Sequence, residues 1–188
     1  RWVLPTIKTI KINQLSFSTW LEAGRFGAFT FKTQFPDPEK RPIITYWRHV
    51  WPVSTVSAEE SKELLSQAKE FKFLYCFCSS ATPLDKLFAS WIEKMGRKNT
   101  LGIKKTYGFD FVIKGEYIAQ FFYEEGFSEK VEKFYKKNKN IDKIDYRKLQ
   151  EIATEKTKIN VAIIRSKEIT NQIRIDIMEN MRLRKRIK

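Results

Sequence analysis

Residues 71–78 read Phe-Lys-Phe-Leu-Tyr-Cys-Phe-Cys, and this stretch decides the predicted fold. When its residues alternate as in a strand, both faces are largely apolar, which is the pattern of a strand inside a sheet. Thr82 and Pro83 follow shortly afterwards. They predict the start of a helix, because threonine caps helix N-termini and proline suits the first helical position. A buried strand followed by a helix indicates a sheet covered by helices.

The chain before this strand is rich in proline and in strand patterns. The proline-rich segment 35–42 predicts an extended loop, because proline fixes the backbone and donates no hydrogen bond. Ser57 and Glu60 form a capping box that opens a helix over Ala58 to Glu70. The remaining predictions are strands over Pro5 to Ile12, Phe26 to Thr33 and Ile43 to Val50, and a short helix over Ser16 to Ala23.

The chain after Pro83 contains no proline and favours helices. Ser166 caps a long terminal helix whose narrow apolar stripe is Ile169, Ile173, Ile177 and Met181. The other predicted elements are strands over Tyr107 to Ile113 and Ile159 to Ile164, and helices over Glu116 to Glu124, Ser128 to Lys137 and Asp145 to Lys156.

These elements predict an α+β fold with an antiparallel or mixed sheet, a helical C-terminal part and a basic terminal helix. Residues 1–115 form the strand-rich α+β core of this interpretation. Residues 116–188 form a helical region with one short strand and a basic C-terminal extension, and this strand would be the sixth of the sheet. A chain of 188 residues has the length of one domain with an extension, so we expect one compact unit.

Positive charge is the clearest functional signal. The chain has 36 basic and 22 acidic residues, a formal net charge of +14, and residues 95–188 contribute +10 of it. A surplus of this size attracts polyanions, either nucleic acid or an anionic membrane surface. A general basic bias without a polyanionic partner is the alternative interpretation.

Three groups of basic side chains are candidate phosphate contacts. The last group lies in a run at the end of the chain, the pattern of a nucleic-acid-binding arm. For the middle group, a solvated helix end is the simpler interpretation, since surface lysines are common. The predicted nucleic-acid-binding residues are Lys104, Lys105, Lys136, Lys137, Lys139, Arg182, Arg184, Lys185, Arg186 and Lys188.

The sequence lacks the patterns of common catalytic and metal sites. His49 is the only histidine, so a site with several histidines is excluded. Cys76 and Cys78 share one face of the predicted strand and are expected to pack as small apolar side chains. The glycines form no phosphate-binding loop. Asp110 and Glu116 are candidates for a metal-dependent nuclease site, but a solvated strand face explains Asp110 more simply. We therefore predict no enzyme, no metal and no cofactor.

We expect a structural subunit of a large assembly, a mitochondrial ribosomal protein that contacts ribosomal RNA and neighbouring proteins. The alternative is an accessory subunit of a mitochondrial membrane complex, in the respiratory chain or ATP synthase, with the basic tail on anionic headgroups. The first residue is Arg1 and the cysteines are few. We interpret this as a processed chain in a reducing compartment, the mitochondrial matrix. No apolar run has the length of a membrane-spanning helix.

Overall fold

The computed structural model describes residues 12–52, 55–71, 74–104 and 107–186, with the backbone alone for residues 12, 68 and 180–186. Their strands form one mixed sheet in the order β1-β7-β6-β5-β2-β3-β4. The strands are β1 (Ile12–Phe17), β2 (Ile43–Trp47), β3 (Leu74–Cys78), β4 (Lys98–Thr100), β5 (Asp110–Lys114), β6 (Tyr117–Tyr123) and β7 (Ile159–Arg165). The α-helices are α1 (Trp20–Arg25), α2 (Phe31–Gln34), α3 (Ala58–Glu70), α4 (Pro83–Lys94), α5 (Glu125–Lys137), α6 (Tyr146–Thr154) and α7 (Lys167–Arg186).

The sheet has a parallel half and an antiparallel half. Strands β2, β3 and β4 are parallel, and α3 and α4 make the two connections between them. Strands β5, β6, β7 and β1 continue the sheet with antiparallel pairing on the other side of β2. The predicted α+β fold with a mixed sheet is therefore confirmed.

The two faces of the sheet bury apolar side chains in separate clusters. The larger cluster joins one face to the helices α1, α2, α4, α5 and α6, with Phe31, Phe88 and Phe134 among its buried rings. The smaller cluster lies on the opposite face, where Ile177 of α7 is buried against strand residues such as Phe111. The helix α7 thus covers the face that the other helices leave open.

The predicted strand over Phe26 to Thr33 is wrong. After α1 the chain continues through a π-helical turn over Phe26–Thr30 into α2. The amide of Phe31 donates to the carbonyl of Phe26, and both rings are buried in the larger cluster. A Cβ at Gly27 would lie 3.1 Å from the ring of Phe121. Close packing of this helical segment on the sheet therefore overrides the β propensity of its aromatic residues.

The predicted helix over Glu116 to Glu124 is also wrong. Gly115 has a φ of +57°, which glycine adopts readily. A two-residue turn of Gly115 and Glu116 follows Lys114, which pairs with Tyr117. The aromatic residues after the turn form β6, because they suit a pleated surface better than a helix. This hairpin crosses residue 115, so the sheet contains strands from both predicted regions.

The helices with strong capping signals agree with prediction. Ser57 with Glu60 and Thr82 with Asp85 form capping boxes at α3 and α4. Asp145 caps α6, and the hydroxyl of Ser166 accepts from the amide of Ile169 at the start of α7. The strands predicted over residues 43–50, 71–78, 107–113 and 159–164 and the helix over residues 128–137 are also present, with shifted bounds. The helix predicted over residues 16–23 begins later, at Trp20, and residues 5–11 of the first predicted strand lie outside the described residues.

Candidate functional site

Polar and aromatic side chains lie together at the end of the sheet where the parallel strands finish. The parallel strands β2, β3 and β4 all end there, and the antiparallel strand β5 begins there at Asp110. The loops after the parallel strands join one another, since the amide of Ser80 donates to the carbonyl of Arg48 and the amide of Gly102 donates to the carbonyl of Ser80. Ligands bind in many α/β proteins at the carboxyl ends of parallel strands, so this end of the sheet is the candidate site.

Asp110 is the acidic residue that lines the cleft at this end of the sheet. Its Oδ1 accepts a hydrogen bond of 2.8 Å from the amide of Arg48, and its carboxylate also accepts from the hydroxyl of Tyr123. The indole of Trp20 donates in turn to that hydroxyl. Burial raises the pKa of Asp110 to about 6, and these hydrogen bonds oppose the rise. Asp110 is half-buried, so the predicted solvated strand face is corrected to a partly desolvated carboxylate.

A cleft of about 140 Å³ opens beside this carboxylate. Most of its lining is aromatic, and the rings of Phe109 and Phe122 lie 5.7 Å apart. Phe122 is 42% exposed, and Arg48, which also lines the cleft, is exposed at the surface. Aromatic faces beside an arginine and a hydrogen-bond acceptor can bind a flat ring with polar edges.

His49 lines the cleft and belongs to a buried ionic cluster. Its Nδ1 is 3.3 Å from the carboxylate of Asp85, its Nε2 is 3.0 Å from Glu132, and its ring stacks on Tyr135. Burial lowers the pKa of His49, but the two carboxylates outweigh burial and raise that pKa above its ordinary value. Asp85 also accepts from the amide of Val50 and from the amide and hydroxyl of Thr82. The cluster therefore fastens α4 and α5 to the loop after β2.

The contacts of this histidine hold its ring in one orientation. Both of its ring nitrogens have carboxylate partners, and the residue also lines the cleft. In the described part of the chain, no three His, Cys, Asp or Glu side chains are grouped so that they could hold a metal ion. Cys76 and Cys78 are buried free thiols, as their predicted packing requires.

The predicted group of Lys136, Lys137 and Lys139 is part of a longer basic stretch of the surface. Lys136, Lys137 and Lys139 are exposed where α5 ends, and α6 begins only a few residues later. Residues 133–148, which we call the basic segment, carry seven basic and two acidic side chains. Tyr146, 45% exposed, lies within it. The basic segment therefore joins surplus charge to an exposed aromatic ring.

The structure describes the other predicted phosphate-binding residues only in part. Lys104 is exposed in the loop between β4 and β5, in the same group of loops as Arg48. Arg182, Arg184, Lys185 and Arg186 belong to α7, whose backbone alone is described there. Lys105 and Lys188 lie outside the described residues.

The sequence predictions missed Arg48, Phe109 and Phe122. A signal for Phe122 was present, because residues 121–123 are three successive aromatic residues. In a strand, neighbouring side chains point to opposite faces, so one ring of such a run must leave the face of the other two. The cleft itself joins residues far apart in sequence and had no comparable signal.

No helix in the described ranges combines the length and apolar character needed to cross a membrane. Comparison with known proteins adds no family to these findings. No protein-family model matches the chain. The search of curated proteins likewise finds no match.

Proposed function

We propose that this chain is a non-catalytic structural subunit of a ribonucleoprotein, a mitochondrial ribosomal protein of the matrix that contacts ribosomal RNA and neighbouring proteins. The observation that carries the proposal is the net charge of +14 together with its concentration in the exposed basic segment. Lysines that neutralise phosphates release condensed counterions, which provides most of the affinity in binding that does not depend on sequence.

The geometry of the basic segment supports contact with a phosphate backbone. Lys136 is paired with Glu132 at 3.0 Å, but no acidic side chain of the described residues lies within 4 Å of Lys137 or Lys139. Exposed ion pairs are worth little in water, so even Lys136 can exchange its partner for a phosphate at small cost. Tyr146 adds a ring on which an unpaired base can stack.

The cleft supports contact with bases. Helix α5 contributes Ser128 and Val131 to the cleft, and the same helix ends in the basic segment. A single strand of RNA along α5 would thus meet phosphate-binding lysines and a stacking surface in succession. RNA proteins commonly read unpaired bases by stacking them on aromatic rings and arginine.

A triple variant tests the phosphate contacts. Replacing Lys136, Lys137 and Lys139 with glutamine should weaken binding to single-stranded RNA and lower the slope of log affinity against log salt by about 2, at roughly 0.7 for each lost contact. Fluorescence anisotropy over a series of salt concentrations measures both quantities. The matched control replaces three exposed lysines of α3 and α4, Lys62, Lys69 and Lys86, with glutamine. Equal losses in the two variants would refute a specific role for the basic segment.

Native purification of the tagged protein tests the assembly. RNA sequencing and mass spectrometry of the co-purifying material should find ribosomal RNA and ribosomal proteins. Subunits of a respiratory or ATP-synthase complex without RNA would contradict the proposal. That result would instead support an accessory subunit whose basic residues face anionic headgroups.

A further inference from the structure

A second cavity lies between the parallel half of the sheet and the helices of the larger cluster. Its volume is about 40 Å³, and residues of α1, α4, β2 and β3 line it. Most of the lining is apolar, including Trp47 and Trp51. Two basic side chains, Lys32 and Arg97, complete it. Basic groups at such a place require a physical explanation, because burial of an uncompensated charge is costly.

Both basic side chains are almost fully enclosed. Lys32 is 2% exposed and Arg97 is 8% exposed. Burial, and then the charge of Arg97, lower the pKa of Lys32 well below its ordinary value. Burial also lowers the pKa of Arg97. The charge of Arg97 thus makes the charged form of Lys32 less favourable, as expected when two basic groups share one desolvated region.

The described residues supply little to balance these charges. Arg97 donates from Nη2 to the side-chain oxygen of Gln67 at 3.3 Å, but its buried Nε has no hydrogen-bond partner among the described residues. No aspartate or glutamate belongs to the residues that line the cavity. Interaction with the thiol of Cys76 opposes the fall in the pKa of both Lys32 and Arg97. Buried charges in proteins are normally paired or bound to an ion.

We propose that this cavity binds a small inorganic anion of the size of chloride, held between the ammonium of Lys32 and the guanidinium Nε of Arg97. A cavity needs a volume of about 10 to 15 Å³ to hold one water molecule. The volume of about 40 Å³ is therefore large enough for a chloride ion and too small for a large organic anion. Asn99 also lines the cavity and can offer its second amide hydrogen, because its Nδ2 gives one hydrogen to the carbonyl of Ala89. This inference does not depend on RNA binding, because none of these groups belongs to the cleft or the basic segment.

The anion joins parts of the fold that are distant in sequence. Lys32 belongs to α2, Thr45 to β2, and Arg97 to the turn between α4 and β4. A bound anion therefore ties the helical segment before the sheet to the parallel half. Because it binds the folded chain only, it raises the free energy of unfolding by an amount that grows with the ratio of free anion concentration to dissociation constant.

The first test compares thermal unfolding in sodium chloride and sodium gluconate at equal ionic strength. The wild-type midpoint should rise with chloride concentration, and once the site is filled it should rise with the logarithm of that concentration. Lys32→Met should lose this chloride-specific rise. Lys62→Met, which removes an exposed lysine of α3, should keep it. A rise of equal size in wild type and Lys32→Met, or no difference between the two salts in wild type, would overturn the proposal.

A second test needs no variant and so remains decisive if Lys32→Met does not fold. Crystals of the wild-type protein grown in sodium bromide should show an anomalous peak within hydrogen-bonding distance of Lys32 Nζ and Arg97 Nε. Bromide resembles chloride in charge and size and can be located by its anomalous scattering. A well-ordered cavity without such a peak would exclude the anion site.

Discussion

Replacing Asp110 with asparagine should stabilise the protein at pH 8 and leave its stability at pH 4 nearly unchanged. Burial raises the pKa of Asp110 from 3.8 to about 6, so the folded chain holds this proton more tightly than the unfolded chain does. The contribution of Asp110 to the free energy of unfolding is therefore greatest below about pH 3.8, and it is lost as the pH rises towards 6. At roughly 1.4 kcal/mol for each tenfold change in proton affinity, the rise corresponds to about 3 kcal/mol. Because Asp110 is only half-buried, we expect about 1 to 2 kcal/mol in the measured difference.

Urea unfolding followed by tryptophan fluorescence at pH 4, 6 and 8 measures this difference directly. Asparagine keeps an oxygen that can accept from the amide of Arg48, so the variant removes the charge and preserves that contact. The matched control is Asp142→Asn, which changes an exposed aspartate and should follow the wild type. Tyr123 stays protonated over this range, because its pKa is raised well above its ordinary value. The charge of His49 lowers the pKa of Asp110, so that interaction is part of the measured difference. A constant difference between Asp110→Asn and wild type from pH 4 to pH 8 would refute the desolvated carboxylate.

Three further variants test the packing around the candidate site by urea unfolding. His49→Leu should lower the free energy of unfolding by about 2 to 3 kcal/mol, because it leaves the carboxylate of Asp85 without its buried cation. This loss should be largest between about pH 4.5 and 6.5 and shrink as pH rises through the raised pKa of His49; a loss independent of pH would contradict an ionic role. Gly24→Ala should cost about 1 to 3 kcal/mol, since its Cβ would lie 2.2 Å from the indole nitrogen of Trp51. Gly126→Ala in α5 meets no atom within 4 Å and should instead stabilise by up to about 1 kcal/mol; similar effects of the two alanines would argue against the tight contact at Trp51.

The sequence predicted best the elements whose signals are local. Capping residues such as Ser57 and Thr82 act within one turn of the helix that they start, so the bounds of α3 and the start of α4 were readable. The segment 26–33 failed because its conformation depends on contacts with residues about 90 positions away, such as Phe121. The segment 116–124 failed because a single backbone angle at Gly115 decides between a hairpin and a helix.

The candidate site was predictable only in part. The charge of the basic segment is a property of composition and was visible, whereas its exposure needed the fold. His49 bonds to carboxylates 36 and 83 residues away, and no spacing rule relates such positions. The burial of Lys32 was invisible for a related reason, because lysine is almost always at the surface and the other residues that line its cavity come from five separate parts of the chain.

The pairing of β1 with β7 has a consequence for the order in which the protein is made. Ile12 lies opposite Ile164 and Phe17 lies opposite Ile159, so the first described strand needs a partner about 150 residues later. The parallel half, by contrast, is continuous between residues 43 and 100. Contacts of such long range slow folding, because the chain must lose loop entropy before they form. During synthesis β1 therefore has no strand partner until β7 has been made. A chain interrupted before residue 159 would leave both β1 and β6 with unpaired edges that favour aggregation.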